Sequence, residues 1–169
     1  RPAIYDDYGM MTFRQLYTET EILRLNLIEL GITEGMGVGV KARNGRSFII
    51  GLFAVVGCGA VVMPMSPQLK KAEIEDILSE AQLHALLDDL SGIPPILAID
   101  AVIKMKLETF SFSYTAIDQK KTFAAHVHMP AFIRFTSGTT GKSKGVIVSH
   151  QSVIERIEAA NKALELGTD

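Results

Sequence analysis

The sequence has no tryptophan, a single cysteine and few aromatic residues. Without a second cysteine it can form no internal disulfide, which favours a reducing compartment, so we expect a cytoplasmic protein. An excess of one charge is also missing, because 17 Lys and Arg residues are matched by 19 Asp and Glu, a formal net charge of −2. This balance gives no basic footprint for nucleic acid. The scarcity of aromatic rings also argues against a surface on which bases stack.

Charged residues are absent from one long stretch, residues 47–69, which approaches the length of a membrane span. Glycines at Gly51, Gly57 and Gly59 and prolines at Pro64 and Pro67 interrupt it. Such breaks favour a buried helix, a glycine turn and a short buried strand over one continuous transmembrane helix. We therefore predict no membrane span.

Helical periodicity and short apolar runs alternate along the chain. Thr12 and Ser149 are candidate N-caps of the first and last helices, and Gly31 is a candidate end of the first. Further helices are predicted over residues 45–57, 70–81 and 151–166, and strands over 38–41, 60–63, 84–87 and 96–99. Strands that are apolar on both faces and alternate with helices are typical of parallel sheets. We predict an α/β fold, a parallel sheet with helices on both faces, and a loop-rich or edge region over residues 101–129.

A loop rich in hydroxyls and glycine separates two apolar segments, residues 131–135 and 146–150. Its sequence is TSGTTGKSKG over residues 136–145. Glycines let main-chain N–H groups approach a ligand, hydroxyls donate hydrogen bonds, and lysine ammonium groups suit phosphate oxygens. The sequence therefore predicts a loop that wraps phosphate groups. The candidate binding residues are Thr136, Ser137, Gly138, Thr139, Thr140, Gly141, Lys142, Ser143 and Lys144.

Two other interpretations apply to this loop. A flexible linker is disfavoured, because five hydroxyls and two lysines lie between tight apolar segments. The nucleotide P-loop pattern, G-x4-G-K-[ST], is matched at its end by Gly141, Lys142 and Ser143, but Thr136 occupies the position that requires glycine. A β-like segment also follows the loop, where a P-loop needs a helix N-terminus. A P-loop ATPase or phosphotransferase and a non-catalytic nucleotide-binding module remain the alternatives.

The loop closely resembles the phosphate-loop signature of the adenylate-forming (AMP-binding) enzymes. That superfamily includes acyl-CoA synthetases, nonribosomal-peptide adenylation domains and luciferases. Ser143 occupies a position where many members have proline. Weaker similarities fall in the family's order: residues 11–16 resemble its first helix start, residues 38–67 a strand–helix–strand stretch, and residues 73–88 the next helix and strand.

The resemblance implies ATP-dependent activation of a carboxylic acid as its acyl-adenylate, with release of pyrophosphate. The acyl group would then pass to a thiol, that of coenzyme A or of a carrier protein. It also implies that Ser137, Thr139, Thr140 and Lys144 contact the β- and γ-phosphates, with Lys144 as the catalytic residue. Thr136 would contact a phosphate or help to hold Mg²⁺. Lys144 adjoins the exit strand and is expected to be held more rigidly than Lys142 at the loop tip.

The length of the family's members implies that this chain is a fragment. Residues 1–169 would be part of an N-terminal AMP-binding domain, its first subdomain, ending shortly after the phosphate loop at residues 136–145. The start at Arg1 agrees with this expectation. The family's C-terminal domain and its adenine, ribose and acyl-pocket motifs lie downstream, so the isolated piece is expected to be inactive. It is also expected to expose apolar surface and self-associate.

Other residues with chemical potential receive structural interpretations. His126 and His128 have a metal-site spacing, but no neighbouring cysteine or carboxylate cluster supports one. Cys58 is interpreted as a small core residue. The paired acids are interpreted as solvated turn residues: Asp6, Asp7, Asp88 and Asp89.

Overall fold

The computed structural model describes residues 1–92, 97–106, 110–136 and 144–165. The side chains of Ser79, Phe135, Thr136 and Lys144 fall outside that description. The helices are α1 (Phe13–Glu29), α2 (Arg46–Gly57), α3 (Lys71–Ala81) and α4 (His150–Ala163). The strands are β1 (Pro2–Asp6), β2 (Gly9–Thr12), β3 (Gly37–Lys41), β4 (Val61–Met65), β5 (Ala85–Asp88), β6 (Ala101–Lys104), β7 (Ser111–Ala116), β8 (Pro130–Thr136) and β9 (Lys144–Ser149).

A mostly parallel sheet is the centre of the molecule. Within the described residues its strand order is β6-β7-β5-β3-β4-β8-β9. The four central strands β5, β3, β4 and β8 are mutually parallel, whereas β6 and β7 on one side and β9 on the other are antiparallel additions. The predicted α/β fold is confirmed, with antiparallel pairing at both edges. None of the helices in the described ranges combines the length and hydropathy needed to cross a bilayer.

Helices cover both faces of the sheet because successive strand residues point to opposite sides. On one side, Val38 and Val40 of β3 pack with Leu23 of α1 and Ile50 of α2. The other side buries a second cluster that includes Met63 of β4 and residues of α3 and β8. Each of these aliphatic side chains contributes about 2 kcal/mol when fully buried. The two clusters fix which strand ends meet at each edge of the sheet.

The first two helices begin in different ways. Thr12 caps α1 as predicted: its hydroxyl accepts from the Gln15 N–H at 3.3 Å, and Gln15 Oε1 accepts from the Thr12 N–H at 2.8 Å. Helix α2 has no side-chain cap of its own. Instead the Asp6 carboxylate, from the end of β1, accepts from the Arg46 N–H at 3.0 Å. The β1–β2 hairpin thus supplies from a distance the acceptor that the start of α2 lacks.

The structure corrects the sequence predictions at three places. Residues 97–99, predicted as a strand with Ile96, lie outside any strand, and Ile96 itself is outside the described residues. The β1–β2 hairpin was not predicted. Residues 101–129 contain the antiparallel pair β6–β7 at the sheet edge, so the edge interpretation is confirmed and the loop-rich one holds only for part of the segment. Short strands with scattered lysines give too weak a periodic signal to be recognised alone.

The last helix differs from the others in its burial. Ser149 caps α4 by accepting from the Ser152 N–H at 3.2 Å, as predicted. Among the described residues of α4 none is buried, and Ile154 and Ile157 are 50% and 53% exposed. The chain therefore exposes apolar surface, and self-association through it stays a prediction.

Candidate active site at the carboxyl edge of the sheet

The carboxyl ends of the four parallel strands meet along one edge. Strand β4 pairs with β8 in parallel through Val62 and Phe132, so both strands end at the same edge of the sheet. Strands β3 and β5 flank β4 on the other side and end at Lys41 and Asp88. In open α/β sheets, ligands bind in the crevice outside these carboxyl ends. This edge is therefore the candidate site.

The predicted phosphate loop joins β8 to β9 as the tip of an antiparallel hairpin. Thr136 and Lys144 face each other as the last paired residues, so the loop begins and ends at the carboxyl edge. Residues 137–143 lie outside the described residues, as do the side chains of Thr136 and Lys144. Their predicted contacts with phosphate and Mg²⁺ therefore stay predictions. The structure establishes where the loop is anchored.

The hairpin also bears on the P-loop alternative. Strand β9 starts at Lys144 and continues to Ser149 before α4 begins. A P-loop requires a helix N-terminus directed at the phosphates immediately after the loop. Here the six-residue strand β9 lies between the turn of the hairpin and the helix, which argues against a P-loop NTPase.

A cleft of about 680 Å³ opens at this edge. Three loops line it, each following a parallel strand: the β3–α2 loop, the β4–α3 loop and the segment after β5. Its lining includes Arg43 and Asn44 from the first loop, Ser66 and Gln68 from the second, and Ser91 from the third. These donors lie at the same edge of the sheet as Thr136 and Lys144, where the predicted phosphate loop begins and ends.

A buried ion pair joins the ends of β3 and β5 beneath the cleft. Lys41 Nζ lies 2.7 Å from Asp88 Oδ2, and the two side chains are 1% and 5% exposed. The other Asp88 oxygen accepts from the Leu90 N–H at 2.9 Å. The prediction that Asp88 is a solvated turn acid is wrong, because its partner comes from a residue 47 positions earlier that only strand pairing brings close.

Asp89 is also buried, contrary to the prediction, and it connects three segments. Its Oδ2 accepts from the Arg43 N–H at 2.9 Å and from the Ser47 hydroxyl at 2.6 Å. Its Oδ1 accepts from the Ser91 N–H at 3.0 Å and from the Ser91 hydroxyl. A carboxylate has acceptor sites for all four donors. The β3–α2 loop and the segment after β5 are thus fixed to one side chain.

Asp6 is the third acid whose solvated interpretation is wrong. Its carboxylate binds the Arg46 guanidinium, with Oδ1 2.6 Å from Nη2, and this hydrogen bonding holds the pKa of Asp6 below its ordinary value. The Arg46 guanidinium carbon also lies 5.3 Å from the centre of the Tyr8 ring, a cation–π distance. Asp7, in the same turn, is exposed as predicted. The sequence feature that could have predicted this pair is the basic residue Arg46 at the first position of α2.

Comparison with known proteins assigns the chain to a family. The model of the family "AMP-binding enzyme" matches residues 1–168. The chain belongs to the AMP-binding enzyme family. The resemblance to the AMP-binding family is thereby confirmed, whereas the roles of the loop residues stay predictions.

Three relatives of this AMP-binding chain illustrate the match. It is 31% identical over 159 residues to "Dapdiamide synthesis protein DdaD" of Enterobacter agglomerans, covering 94% of this chain and 25% of that protein. The structure of PA1221, described as an NRPS protein containing adenylation and PCP domains, is 25% identical with a TM-score of 0.62, covering 93% of this chain and 30% of that one. The structure of IdnL1 shares the fold, with a TM-score of 0.74 at 19% identity over 98% of this chain and 34% of that one. The chain thus spans about a quarter to a third of these relatives.

The amino edge of the AMP-binding chain holds other residues with chemical potential. His126, His128 and His150 line a cleft of about 580 Å³ there. In the ranges that the structure describes, no group of three or more His, Cys, Asp or Glu side chains could hold a metal ion. Burial raises the pKa of the Cys58 thiol, which disfavours the nucleophilic thiolate. Cys58 is half-buried at the end of α2 and packs against the main hydrophobic cluster, as predicted.

Proposed function

We propose that the protein carrying this chain adenylates a carboxylic acid with ATP and releases pyrophosphate. The observation that carries the proposal is the hairpin loop, rich in hydroxyls and lysine, at the carboxyl edge of the sheet. The chain around it matches the AMP-binding family over residues 1–168. The edge is the ligand-binding side of this class of sheet. The composition of the loop favours phosphate as its ligand.

The proposed reaction is a displacement at phosphorus. A carboxylate oxygen of the acid attacks the α-phosphate, a new O–P bond forms, and the bond to the β-phosphate oxygen breaks with its electron pair leaving on pyrophosphate. Charge accumulates on the leaving group, so fixed donors next to it lower the barrier. We assign this role to Ser137, Thr139, Thr140 and Lys144, with Lys144 neutralising charge from the first position of β9.

Mg²⁺ fits the donors of this loop. Hydroxyl and phosphate oxygens are hard ligands of the kind that Mg²⁺ binds, usually with one or two protein groups and several phosphate or water oxygens. Thr136 ends β8 beside Lys144 and is the residue proposed to contact the ion or a phosphate. The ion would offset the charge of the phosphate oxygens. Binding and orienting the polyphosphate remain the work of the loop.

The acyl group is proposed to pass from the adenylate to a thiol. Attack of the thiol sulfur on the acyl carbon forms a thioester and expels AMP. Both coenzyme A and the pantetheine thiol of a carrier protein suit this chemistry. The PCP domain that accompanies the adenylation domain in PA1221 favours a carrier protein.

The test is carboxylate-dependent ATP–pyrophosphate exchange, measured on the whole protein with short, long-chain, aromatic and amino acids. We expect exchange with one class of acid. Lys144→Ala should reduce it by about a hundredfold or more, the scale of losing one transition-state donor. Lys142→Ala is the matched control in the same loop and should have a much smaller effect.

Two other outcomes would change the assignment. ATP hydrolysed to ADP without exchange for any acid would contradict adenylation and support a phosphotransferase. ATP binding without either reaction would support a non-catalytic nucleotide-binding module. The acceptor is identified separately, by thioester formation from the preformed adenylate with coenzyme A or with a pantetheinylated carrier protein.

A further inference from the structure

The segment after β5 lies beside an open cleft, yet several hydrogen bonds hold it in place. Asp88 and Asp89 are both buried, although they lie at a strand end next to an open cleft. Leu90, which follows them, has a φ of +57°, in the left-handed region that non-glycine residues rarely adopt. Its N–H is held by Asp88 Oδ1 at 2.9 Å. The Asp88 carboxylate therefore holds Leu90 in a backbone conformation that leucine rarely adopts.

Two further bonds fasten this turn to the β3–α2 loop. Asp89 accepts from the Arg43 N–H, and Arg43 Nη2 donates in return to the Ser91 carbonyl oxygen at 2.9 Å. Asp89 also holds Ser91 through two bonds to Oδ1. Because Asp89 accepts hydrogen bonds from both the β3–α2 loop and the segment after β5, neither can move without breaking a bond to this buried carboxylate. Burying charge is costly, and replacement by apolar residues is often neutral or stabilising. The bonds of Asp89 therefore fix the position of the β3–α2 loop relative to the segment after β5.

The segment after β5 packs closely against the loop that follows β4, where Gly92 lies next to Pro67. A methyl group added at Gly92 would overlap the Pro67 carbonyl oxygen and lie 3.1 Å from the Pro67 side chain. This glycine has no positive φ, so only the close approach of Pro67 excludes a larger residue. The loop itself is a tight turn, in which the Leu69 N–H donates to the Ser66 carbonyl oxygen at 3.3 Å. Gly92 and Pro67 thus set the distance between two of the three loops around the cleft.

The β4–α3 turn follows β4, the parallel neighbour of the strand that leads into the predicted phosphate loop. Val62 pairs with Phe132 in parallel, and from this pair both strands run toward the carboxyl edge, β4 to Met65 and β8 to Thr136. Ser66 and Pro67 then continue past β4 where Thr136 ends β8. A displacement of this turn would therefore change the surroundings of Thr136.

We propose that Asp89 and Gly92 are positioning residues for the ATP-binding end of β8. They fix the turn at residues 66–69 against the end of that strand, and thereby the alignment of the triphosphate held by its loop. This inference rests on the proposed adenylation for the identity of the ligand. Misplacement by about 1 Å can reduce a rate by about a hundredfold, so a contact that sets loop spacing has a kinetic consequence.

The kinetic test uses the whole protein in the exchange assay with Gly92→Ala and Asp89→Asn. Asn puts an amide donor where one of the backbone N–H groups now finds an acceptor, so one connection is lost at constant size. We expect the KM for ATP to rise about tenfold or more in both variants, within the range that misalignment produces. The KM for the carboxylic acid should change less than twofold.

Matched controls separate this role from loss of stability. Gly31→Ala introduces backbone strain at φ +93°, with nothing within 4 Å of the added carbon, and Asp118→Asn changes an exposed acid. Both should leave the KM for ATP unchanged. A merely structural role for Gly92 would lower the amount of active protein and leave both KM values as they are. That result in both Gly92→Ala and Asp89→Asn would overturn the inference.

A second measurement is independent of any activity. Backbone amide chemical shifts of Thr136 and Gly145 report the end of the hairpin in the isotopically labelled protein. We expect them to move in Gly92→Ala and Asp89→Asn and to stay in place in Gly31→Ala. If exchange fails with every acid, the proposed function is wrong, while these shifts still decide whether the turn positions the end of β8. Unchanged amide shifts in both variants would overturn the inference.

Discussion

Different interactions hold the carboxyl and the amino ends of the parallel strands β3 and β5. At the carboxyl edge, β3 and β5 are joined by the Lys41–Asp88 ion pair and by the bonds of Asp89 to the neighbouring loops. At the amino edge, the corresponding strands are joined by packing of Phe123 against Gly37 and by a neutral imidazole, since His84 Nδ1 accepts from the Gly37 N–H at 3.0 Å. The buried charges at the ends of β3 and β5 thus lie at the edge that carries the predicted phosphate loop. Buried carboxylates therefore hold the loops at the carboxyl edge, whereas one imidazole and one aromatic ring hold the amino edge.

The largest expected effect tests the charged edge. Lys41→Met leaves the buried Asp88 carboxylate without its cation, and we expect a loss of about 4 kcal/mol in the free energy of unfolding. Urea denaturation measures this loss. The double variant Lys41→Met with Asp88→Asn removes the unpaired charge and should recover at least half of it. A loss below 1 kcal/mol in the single variant would contradict the view that this edge depends on paired charge.

The packed edge should respond to added volume instead. In Gly37→Ala the new carbon would lie 2.5 Å from the Phe123 ring, so the ring or the strand must shift, and we expect a loss of about 2 kcal/mol. The same denaturation experiment applies. Placing Gly37→Ala in a Phe123→Leu background should remove most of the additional loss, because the ring is then absent. Equal losses in both backgrounds would mean that the ring does not limit the site.

Acidification should weaken the amino edge before the carboxyl edge. Burial lowers the pKa of His84 from its ordinary value near 6.5, so the folded state binds the proton less well than the unfolded state. Stability is then lost as the pH falls below about 6.5 toward the lowered pKa. His84→Asn keeps an acceptor for Gly37 and does not titrate. Thermal unfolding from pH 7.5 to 5 should show a smaller decline in this variant, and equal slopes would refute the assignment.

The smallest effect is expected at Asp6. Hydrogen bonds from Arg46 lower the pKa of Asp6 from its ordinary value near 3.8, so its contribution is present above that value and is lost as the pH falls through the lowered pKa. Asp6 lies near the surface, where solvent screens part of the interaction. The difference in melting temperature between the protein and Asp6→Asn should be constant from pH 5 to 7 and shrink below pH 4. A difference that persists unchanged at pH 2 would exclude ionisation as its cause.

The local elements could be predicted because their signals are local. Thr12 and Gln15 form a capping box within one turn, and the uncharged stretch around Gly57 divides into α2 and β4 where the glycines predict. Strands β6 and β7 were missed because short segments with scattered charge have weak periodicity. The phosphate loop could be predicted because seven polar side chains and three glycines suited to phosphate are contiguous in sequence, and its function stays a prediction.

The acids around the cleft could not be assigned in this way. Asp6 and Arg46 are 40 residues apart, and Lys41 and Asp88 are 47 apart. An acidic pair next to a strand has the same sequence appearance whether it faces water or a buried cation. Only the pairing of β3 with β5 and the folding of the β1–β2 hairpin over α2 distinguish the two cases.

The sequence alone determined the class of fold, the position of the predicted phosphate loop between two strands and the family to which the chain belongs. These follow from periodicity and from contiguous residues, since both depend on neighbours within a few positions. The tertiary structure alone decided the strand order, the antiparallel edges and the partners of Asp6, Asp88 and Asp89. Those depend on which distant segments share the hydrophobic clusters, and burial of the clusters places the charged groups at the carboxyl edge.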